Sequence, residues 1–442
     1  MKSLEDRILE RISPTPSQKH AIEDAAEALR QMVTATGDKI MPGLEYMLVG
    51  SVAKGTYLSD PDIDIFVIFP PDIPRVELET AGLEIGEKSV GGVRKYAEHP
   101  YIHGHFRGFA VDIVPCYRLE MGGKNLSAVD RTPLHTRFMQ EHMTEVGKKQ
   151  VMLLKRYCKG IGCYGADGRV QGFSGYLLEL LTLRYGSFDG VLSAASKWKH
   201  GQRLCIDAPG EGKFTSPLIF YDPVDPRRNV ASAVSTDKMG LFCQAAREYL
   251  VEPNERFFFP KPIELFSMDE VAAAMEARGT GLCAVRMPRP DIIDDNLYPQ
   301  VRRTQDGILA LCCEKGFEVL DSSYSVSDDR ITIMIEVASE ILSNAHLHQG
   351  PPVLTENSGQ FLHRWRVGGV SNPFIREGRW VVLAQREHPY LVEMLRACIG
   401  LAAMGSDLRD LEVQVLDAPE MMACGMEAAI TAHIDKRFPW ER

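Results

Sequence analysis

The chain lacks the features that mark secreted, membrane-spanning or zinc-ribbon proteins. Its ten cysteines are irregularly spaced and include no Cys-x-x-Cys pair, which argues against a zinc ribbon or a disulfide framework. No apolar run reaches the roughly 18 residues needed to cross a membrane, and residues 1–10 are charged where a signal peptide would be apolar. We therefore expect a cytoplasmic protein with reduced thiols and no membrane partner.

An overall excess of basic residues is also missing, because the 442 residues carry a net charge of −10. That balance argues weakly against a nucleic-acid partner, although a polyanion responds only to the local field of the surface it meets. Locally basic surfaces are predicted at residues 135–160, 227–228, 363–366 and 436–437. In the segment 361–366 (FLHRWR), Phe361 and Trp365 could stack on nucleotides beside the basic residues. The segment is equally compatible with a plain strand that has alternating faces.

Composition and periodicity indicate a multidomain α+β protein. Hydrophobic residues make up 45% and charged residues 25% of the chain, and its length suggests about three domains. We predict a helix over residues 17–35 with Ser17 as its cap, and strands over 44–50, 62–69 and 109–116. Residues 133–160, 174–186 and 300–315 are helix-like. Residues 317–325 and 330–338 predict a hairpin in a C-terminal α+β module, for which a ferredoxin-like arrangement is one option.

Three aspartates in apolar strands are the strongest chemical signal in the sequence. Asp62 and Asp64 lie two residues apart on one predicted strand, so their side chains project to the same face. Asp112 lies in the middle of a second apolar strand. Holding such carboxylates together is costly because like charges repel and burial penalises both, and a bound divalent cation removes that cost. The pattern predicts a site for Mg²⁺, as two-metal phosphoryl transfer requires.

A small turn precedes these aspartates and suits phosphate binding. Gly50 lets the backbone approach a phosphate closely, while the Ser51 hydroxyl and nearby N–H groups can hold it. Lys54 can add a positive charge. A single Gly-Ser pair or a single Asp-x-Asp pair is common in surface turns. Their order here, with a third aspartate in another strand, favours a nucleotidyltransferase.

The chain resembles the archaeal (class I) CCA-adding tRNA nucleotidyltransferases, a branch of the DNA polymerase β nucleotidyltransferase superfamily. The resemblance is dense over residues 45–235 and weaker in the C-terminal half. The stretches that carry it are GSVAKGT, DIDIFVIFP, RKYAEHPYIHGHF, VDIVPCYRL, SAVDRTPLHTRF, GCYGADGRVQGFSGYLLELL, YGSF and DPVDPRRNVA. It implies a polymerase β-like α/β catalytic head at residues 1–140, a helical nucleotide-recognition domain at 141–257, and an α+β tRNA-binding body and tail at 258–442.

The resemblance also implies roles for individual residues. Catalysis and metal binding would fall to Asp62, Asp64 and Asp112, the first of which is often Glu in the family. Nucleotide binding would fall to Gly50, Ser51, Lys54, Thr132, His135, Lys155, Tyr164 and Arg228. The family frequently has Arg at the position of Lys54, so the charge is kept here but the bidentate fork is lost.

Four of these residues have structural alternatives that the sequence leaves open. His135 could be a helix-cap histidine, and Lys155 could belong to a solvated helix face together with Arg156. Tyr164 could be a core tyrosine with a bonded hydroxyl. Arg228 could pair with one of two nearby aspartates, which are Asp222 and Asp225.

The implied reaction is template-independent addition of C, C and A to the 3′ end of tRNA from CTP and ATP, with release of pyrophosphate. The implied partners are the acceptor and TΨC arms of tRNA and a second copy of the chain in a homodimer. Two alternatives remain. One is a poly(A) polymerase-like terminal nucleotidyltransferase, and the other is a catalytically silent RNA-binding relative, which three retained carboxylates argue against.

Overall fold

The computed structural model describes residues 2–96, 99–120, 123, 126–127 and 129–442. It divides into two units, one formed by Met1–Pro262, Ile293–Asp295 and Arg437–Arg442, and one formed by Ile263–Ile292 and Asn296–Lys436. Two of the motif stretches, at residues 94–106 and 127–138, include Ala97, Glu98 and Ala128, which lie outside the described residues. The division into three segments stays a prediction.

In the described part of the first unit, a five-stranded sheet has the order β1-β2-β5-β4-β3, in which only β2 and β5 run parallel. Its strands are β1 (Glu45–Val49), β2 (Ile63–Phe69), β3 (Val93–Tyr96), β4 (Pro100–Phe106) and β5 (Phe109–Tyr117). The helices of this part are α1 (Leu4–Ile12), α2 (Pro16–Ile40), α3 (Gly50–Lys54) and α4 (Arg75–Val90).

The cap of α2 differs from the sequence prediction. Thr15, not Ser17, caps the helix, because its side chain accepts from the Gln18 N–H while the Gln18 side chain accepts from the Thr15 N–H. Pro16 therefore occupies the first helical position, where its missing N–H costs nothing. Ser17 is inside the helix.

The sheet has two different faces because side chains alternate along each strand. Ile63, Ile65 and Val67 share a core with residues of α2 and α4. Phe66 and Val114 belong to a smaller apolar cluster on the other face. Asp64 and Asp112 alternate with the helix-facing residues, so they lie on this second face, away from the helices.

The remainder of the first unit is mainly helical, as predicted for the central region. Its largest apolar cluster is built around the fully buried Tyr157, Phe188 and Phe242. Its helices are α5 (Thr132–His142), α6 (Glu145–Gly160), α7 (Gly175–Tyr185), α8 (Phe188–Ala195) and α9 (Thr236–Val251). Two short parallel strands accompany them, β6 (Gln202–Leu204) and β7 (Leu218–Phe220). Ser174 caps α7, as the sequence predicts.

In the second unit, the elements that build the larger sheet succeed one another as βαββαβ. The four strands have the order β14-β8-β10-β9 with every neighbouring pair antiparallel, which is the split βαβ topology of ferredoxin-like folds. The strands are β8 (Gly281–Pro288), β9 (Val319–Val326), β10 (Arg330–Val337), β11 (Ala345–Pro352), β12 (Phe374–Arg376), β13 (Arg379–Gln385) and β14 (Gln414–Leu416). The helices are α10 (Met268–Arg278), α11 (Asp294–Glu314), α12 (Ser358–Gly368), α13 (Leu391–Cys398), α14 (Ala418–Ala423) and α15 (Glu427–Ile434). The predicted β9–β10 hairpin is confirmed.

A second, three-stranded sheet, β11-β13-β12, comes after β10 in the chain and carries α12. The strand alternative for residues 361–366 is wrong, because these residues lie in α12. Phe361 and Trp365, four residues apart and hence on one helix face, both pack against His348 of β11. Within the described residues, no helix is long and apolar enough to cross a membrane.

The packing of α4 on β5 gives a stability prediction. A Cβ added at Gly82, in the middle of α4, would lie 2.3 Å from the Pro115 Cβ, whereas one added at Gly240, in the second turn of α9, would meet nothing within 4 Å. We expect Gly82→Ala to lower the free energy of unfolding by about 1–3 kcal/mol through overpacking. Gly240→Ala should raise it by about 0.5–1 kcal/mol through helix propensity. Denaturant unfolding of both variants checks these predictions. Changes in the free energy of unfolding that have the same sign in both variants would contradict them.

Candidate active site

Strand register brings two of the three predicted aspartates side by side. Asp64 of β2 is the direct neighbour of Asp112 across the parallel pair β2–β5. Val49 of β1 lies beside Asp64, and His103 of β4 lies beside Asp112. These four residues form one row across the sheet. Asp62, predicted in the strand, instead lies just before the first residue of β2 and is exposed.

The carboxylates of the site are held close together, and the basic side chains near them offset their repulsion only in part. Burial, reinforced by the charges of Asp112 and Asp62, raises the pKa of Asp64 to about 7. Although Asp62 is exposed on one side, desolvation on its other side and then the charge of Asp112 also raise its pKa. His103 holds Asp112 in place, with 2.7 Å between His103 Nδ1 and Asp112 Oδ1. The three oxygen donors fit a hard divalent cation, which would remove the repulsion.

The Gly50 backbone lies close to the Asp64 carboxylate. Its φ is +71°, and a Cβ there would lie 2.0 Å from Asp64 Oδ2, so no side chain fits. The predicted turn at residues 50–54 is instead the short helix α3, which begins at Gly50 and contains Ser51 and Lys54.

Two of the predicted nucleotide-binding lysines meet at one buried carboxylate. Glu179 of α7 is fully buried and accepts from Lys54 Nζ (2.5 Å), Lys155 Nζ (3.1 Å) and Thr56 Oγ1 (2.7 Å). Burial alone would raise the pKa of Glu179, but Lys155 and Lys54 hold it at about 2. Lys155 is buried and is therefore not part of a solvated helix face.

Another predicted pair is joined by a second buried carboxylate. Asp222 accepts from Arg228 (2.9 Å) and bonds His135 Nε2 (2.8 Å). Although burial opposes the shift, these bonds lower the pKa of Asp222. The His135 ring stacks on Tyr176 with 4.0 Å between centroids. Arg228 thus forms one of the pairs that the sequence left open, and its part in nucleotide binding stays a prediction.

Tyr164 connects the lysine cluster to the aspartates. A Cβ added at Gly175 would lie 3.3 Å from the Tyr164 hydroxyl and 3.5 Å from Lys155 Cε, so the three side-chain positions adjoin. Lys159 Nζ lies 5.2 Å from the centre of the Tyr164 ring. The positive charge of Lys159 also counteracts the rise in the pKa of Asp62. Lys159 of α6 therefore places a positive charge near Asp62.

A cavity of about 680 Å³ opens on the aspartate-bearing face of the sheet. Its polar lining includes Asp64, Asp112 and Thr132, and its apolar lining includes Phe66 and Val114. A volume in this range and a mostly apolar wall with a few polar groups are typical of small-molecule sites. Three of the predicted site residues thus line one cavity.

Several residues of the site were missed in the sequence. Glu179 carries a readable signal, because it is the one charged residue in the apolar run GYLLELL and a buried carboxylate needs partners. His103 has no such signal, since its role depends on β4 pairing with β5. Tyr176 and Asp222 also become visible only when α5, α7 and the segment after β7 are brought together.

Comparison with known families covers nearly the whole chain. The models that match are the nucleotidyltransferase domain at residues 26–135, the second domain of tRNA nucleotidyltransferase at 149–259, and the C-terminal domain of the CCA-adding enzyme at 278–415. A CCA-adding enzyme of Halobacterium salinarum is 36% identical over 98% of each chain. The chain belongs to the CCA-adding enzyme family.

Two other members of the family match at similar levels. The CCA-adding enzyme of Methanosarcina barkeri is 37% identical over 92% of this chain and 91% of its own, and that of Thermoplasma acidophilum is 38% identical over 85% of each. These matches confirm the predicted family and enzyme class. They also confirm the predicted fold class, an α+β multidomain chain with a polymerase β-like nucleotidyltransferase head. The C-terminal half, where the sequence resemblance is weaker, matches as well.

The buried Glu179 generates a pH-dependent stability prediction. Glu179→Gln should lower the free energy of unfolding by about 3–5 kcal/mol at pH 7, because two buried ammonium groups lose their counter-charge. The folded pKa of Glu179 is depressed to about 2, so its contribution is present above the unfolded value near 4.5 and is lost as pH falls toward 2. The difference between wild type and variant should therefore shrink over that window in denaturant titrations.

The matched control is Glu145→Gln, which removes an exposed partner of Lys148. Its effect should stay within about 0.5 kcal/mol at every pH. A Glu179→Gln effect as small as the control's would contradict the structural role assigned to Glu179.

Proposed function

We propose that the chain adds C, C and A to the 3′ end of tRNA without a nucleic-acid template, using CTP and ATP. The observation that carries the proposal is the register pairing of Asp64 with Asp112 at the cavity, in a chain of the CCA-adding enzyme family. The tRNA 3′-hydroxyl attacks the α-phosphate of the nucleotide, the new P–O bond forms, and pyrophosphate leaves.

We propose Mg²⁺ as the cofactor, held by Asp62, Asp64 and Asp112. The support is the donor set: three carboxylates, two of which have pKa values raised by burial and then by the charge of Asp112. When bound, Mg²⁺ would neutralise triphosphate charge and favour ionisation of the attacking hydroxyl. His103 would keep Asp112 in its orientation, since it bonds the Asp112 carboxylate on the side of β4.

The nucleotide-binding roles are proposed for Thr132, which lines the cavity, and for seven residues outside the cavity lining. Gly50 and Ser51 would hold phosphate oxygens through the backbone and the hydroxyl, and Lys54 would supply charge. Glu179 keeps the Lys54 and Lys155 ammonium groups fixed, which reduces the ordering cost of binding. The residues proposed to contact the nucleotide beyond its phosphates are Thr132, His135, Lys155, Tyr164 and Arg228.

The base-selecting part is proposed to be the stacked pair His135–Tyr176 and its anchor Asp222. Asp222 fixes both His135 and Arg228, so the two side chains can only present hydrogen-bonding atoms in a limited set of directions. A rigid set of donors and acceptors is what discriminates one base from another when no template is present.

The organisation around this centre is also proposed. Residues 1–140 would be the catalytic head, 141–257 the nucleotide-recognition domain, and 258–442 the tRNA-binding body and tail. The body and tail would meet the acceptor and TΨC arms of tRNA by shape and backbone contacts. We propose a homodimer and a cytoplasmic location, where tRNA is available.

The first test is extension of a tRNA that lacks its CCA end. With Mg²⁺, we expect two additions from labelled CTP alone and a third only when ATP is also present, resolved on a nucleotide-resolution gel. Long adenosine tails would instead indicate a poly(A) polymerase-like enzyme. Binding of tRNA without extension would indicate a catalytically silent relative.

The variant that tests the site is Asp112→Asn. We expect at least about a hundredfold loss of extension rate, because metal-assisted charge stabilisation supplies several kcal/mol. The matched control is Asp72→Asn, which changes an exposed aspartate in the loop after β2 and should keep wild-type activity. An Asp112→Asn enzyme with near-normal extension would remove the proposed role of the aspartate row.

Burial of Asp64, reinforced by the charges of Asp112 and Asp62, predicts that removing its carboxylate stabilises the fold while it abolishes activity. The folded pKa of Asp64 is about 7, above its unfolded value, so its contribution is fully present below the unfolded pKa and is lost as pH rises through 7. In chelator-treated protein, Asp64→Asn should therefore raise the melting temperature more at pH 8 than at pH 5, while extension is lost. Asp72→Asn should show no such pH dependence. A lower melting temperature for Asp64→Asn at pH 8 would contradict the destabilising effect assigned to the Asp64 carboxylate.

A further inference from the structure

A second carboxylate pair lies in the second unit, on the ferredoxin-like sheet. Asp321 of β9 and Glu336 of β10 are direct cross-strand neighbours, and the register shifts immediately after Glu336. Like charges in directly opposed positions destabilise a strand pair unless something compensates them. Glu336 is buried, so its repulsion from Asp321 is poorly screened by solvent.

A fully buried histidine faces this pair. His433 of α15 has no exposed side-chain surface, and its Nε2 makes no hydrogen bond. That nitrogen lies 3.4 Å from Glu336 Oε2 and 3.7 Å from Asp321 Oδ2. The other ring nitrogen, Nδ1, is 2.7 Å from Ser323 Oγ. One atom of the ring is therefore fixed by a partner and the other is directed at two carboxylates.

The state of the imidazole decides what this arrangement can do. Burial, and then the charge of Lys436, lower the pKa of His433, while Asp321 and Glu336 oppose that shift. When Nδ1 donates its proton to Ser323, Nε2 presents a lone pair to the carboxylate oxygens. Without a metal the opposite tautomer is favoured, in which Ser323 donates to Nδ1 and the Nε2–H faces the carboxylates, whereas a cation between Nε2 and the two oxygens selects the lone-pair tautomer. Metal-binding histidines are commonly oriented in this way, with the other ring nitrogen donating to a neighbour.

We propose that Asp321, Glu336 and His433 form a Zn²⁺ site, which ties α15 to β9 and β10. The three ligand atoms lie within 4.8 Å of one another. Tetrahedral Zn²⁺ with bonds of about 2.0–2.1 Å places its ligands about 3.3–3.4 Å apart, close to the separations of Nε2 from the two oxygens. The mixed nitrogen and oxygen donors suit Zn²⁺ better than Mg²⁺. Water would complete the coordination.

Two protein cations compete for the same carboxylates. Lys436 bonds Asp321 Oδ2, and Arg278 approaches Glu336 Oε2 at 3.5 Å. Thr280 donates to the other oxygen of Glu336 at 2.6 Å, which leaves Oε2 directed at His433. A bound Zn²⁺ has to displace the Lys436 ammonium, and the Lys436 side chain is 56% exposed and can turn to solvent. Removing this ammonium should therefore strengthen metal binding.

The test uses the full chain carrying Asp62→Asn and Asp112→Asn, so that the aspartate row does not bind the probe. After treatment with chelator and buffer exchange, Zn²⁺ is titrated against a chromophoric competitor. We expect one equivalent per chain. His433→Gln and Asp321→Asn should each weaken binding by about tenfold or more, since each removes a ligand.

Two further variants sharpen the result. Lys436→Met should bind Zn²⁺ more tightly, whereas His363→Gln, which changes an exposed histidine of α12, should bind it unchanged. Asp321 is partly exposed, so Asp321→Asn decides the matter if His433→Gln fails to fold by circular dichroism. Absence of saturable binding, or equal affinity in Asp321→Asn and its parent, would overturn the proposal. Neither outcome bears on CCA addition, because the site shares no residue with the proposed active site.

Discussion

The parallel pairing of β2 with β5 is the constraint on which the candidate active site depends. This pairing places Asp64 beside Asp112 independently of the conformation of the surrounding loops, because the hydrogen bonds between the two strands keep one register from Ile63 to Phe69. The register is secured from the opposite face, where alternate residues of both strands are packed against α2 and α4. A one-residue slip would turn the aspartates into that apolar core and Ile63 and Ile65 out of it. Core packing thus supplies the free energy that holds two mutually repelling carboxylates together.

The acidic residues of the candidate site form two groups whose pKa values are shifted in opposite directions. Glu179 and Asp222 are buried carboxylates whose pKa values are lowered, because each has cationic or donor partners at hydrogen-bond distance. Asp62 and Asp64 have raised pKa values because burial, and then the charge of Asp112, penalise their ionised forms. Glu179 and Asp222 have their charges balanced within the folded chain, and they fix the side chains that bond them. The negative charges of Asp62 and Asp64 are left largely unbalanced, and a divalent cation that arrives with the triphosphate can balance them. The net charge of −10 therefore says little about this region, where the field alternates in sign over a few ångströms.

Features that depend on local pattern could be predicted from the sequence, whereas features that depend on strand pairing could not. Asp64 and Asp112 were recognisable because aspartate in the middle of an apolar strand needs a reason, and Ser174 was recognisable as a helix cap. The helical state of residues 361–366 was missed because six residues with alternating polarity also contain the i, i+4 pair Phe361 and Trp365. His103 was missed because nothing near it in the chain indicates that β4 pairs with β5. Long-range register is the step at which local reasoning ends.

Two cross-strand carboxylate pairs within the described residues can be compared on the same terms. Asp64 and Asp112 lie side by side on parallel strands, and Asp321 and Glu336 lie side by side on antiparallel strands. The first pair faces a cavity and has its charge offset only in part, by Lys54, which suits a centre that binds and releases a charged substrate in every cycle. The second pair already has two protein cations, one of them on an exposed side chain, and faces a buried imidazole. A Zn²⁺ ion bound there would replace the Lys436 ammonium and link β9, β10 and α15, so its effect should be on stability. Like charges in register thus mark places where a fold needs a cation, and access to solvent decides whether that cation serves chemistry or structure.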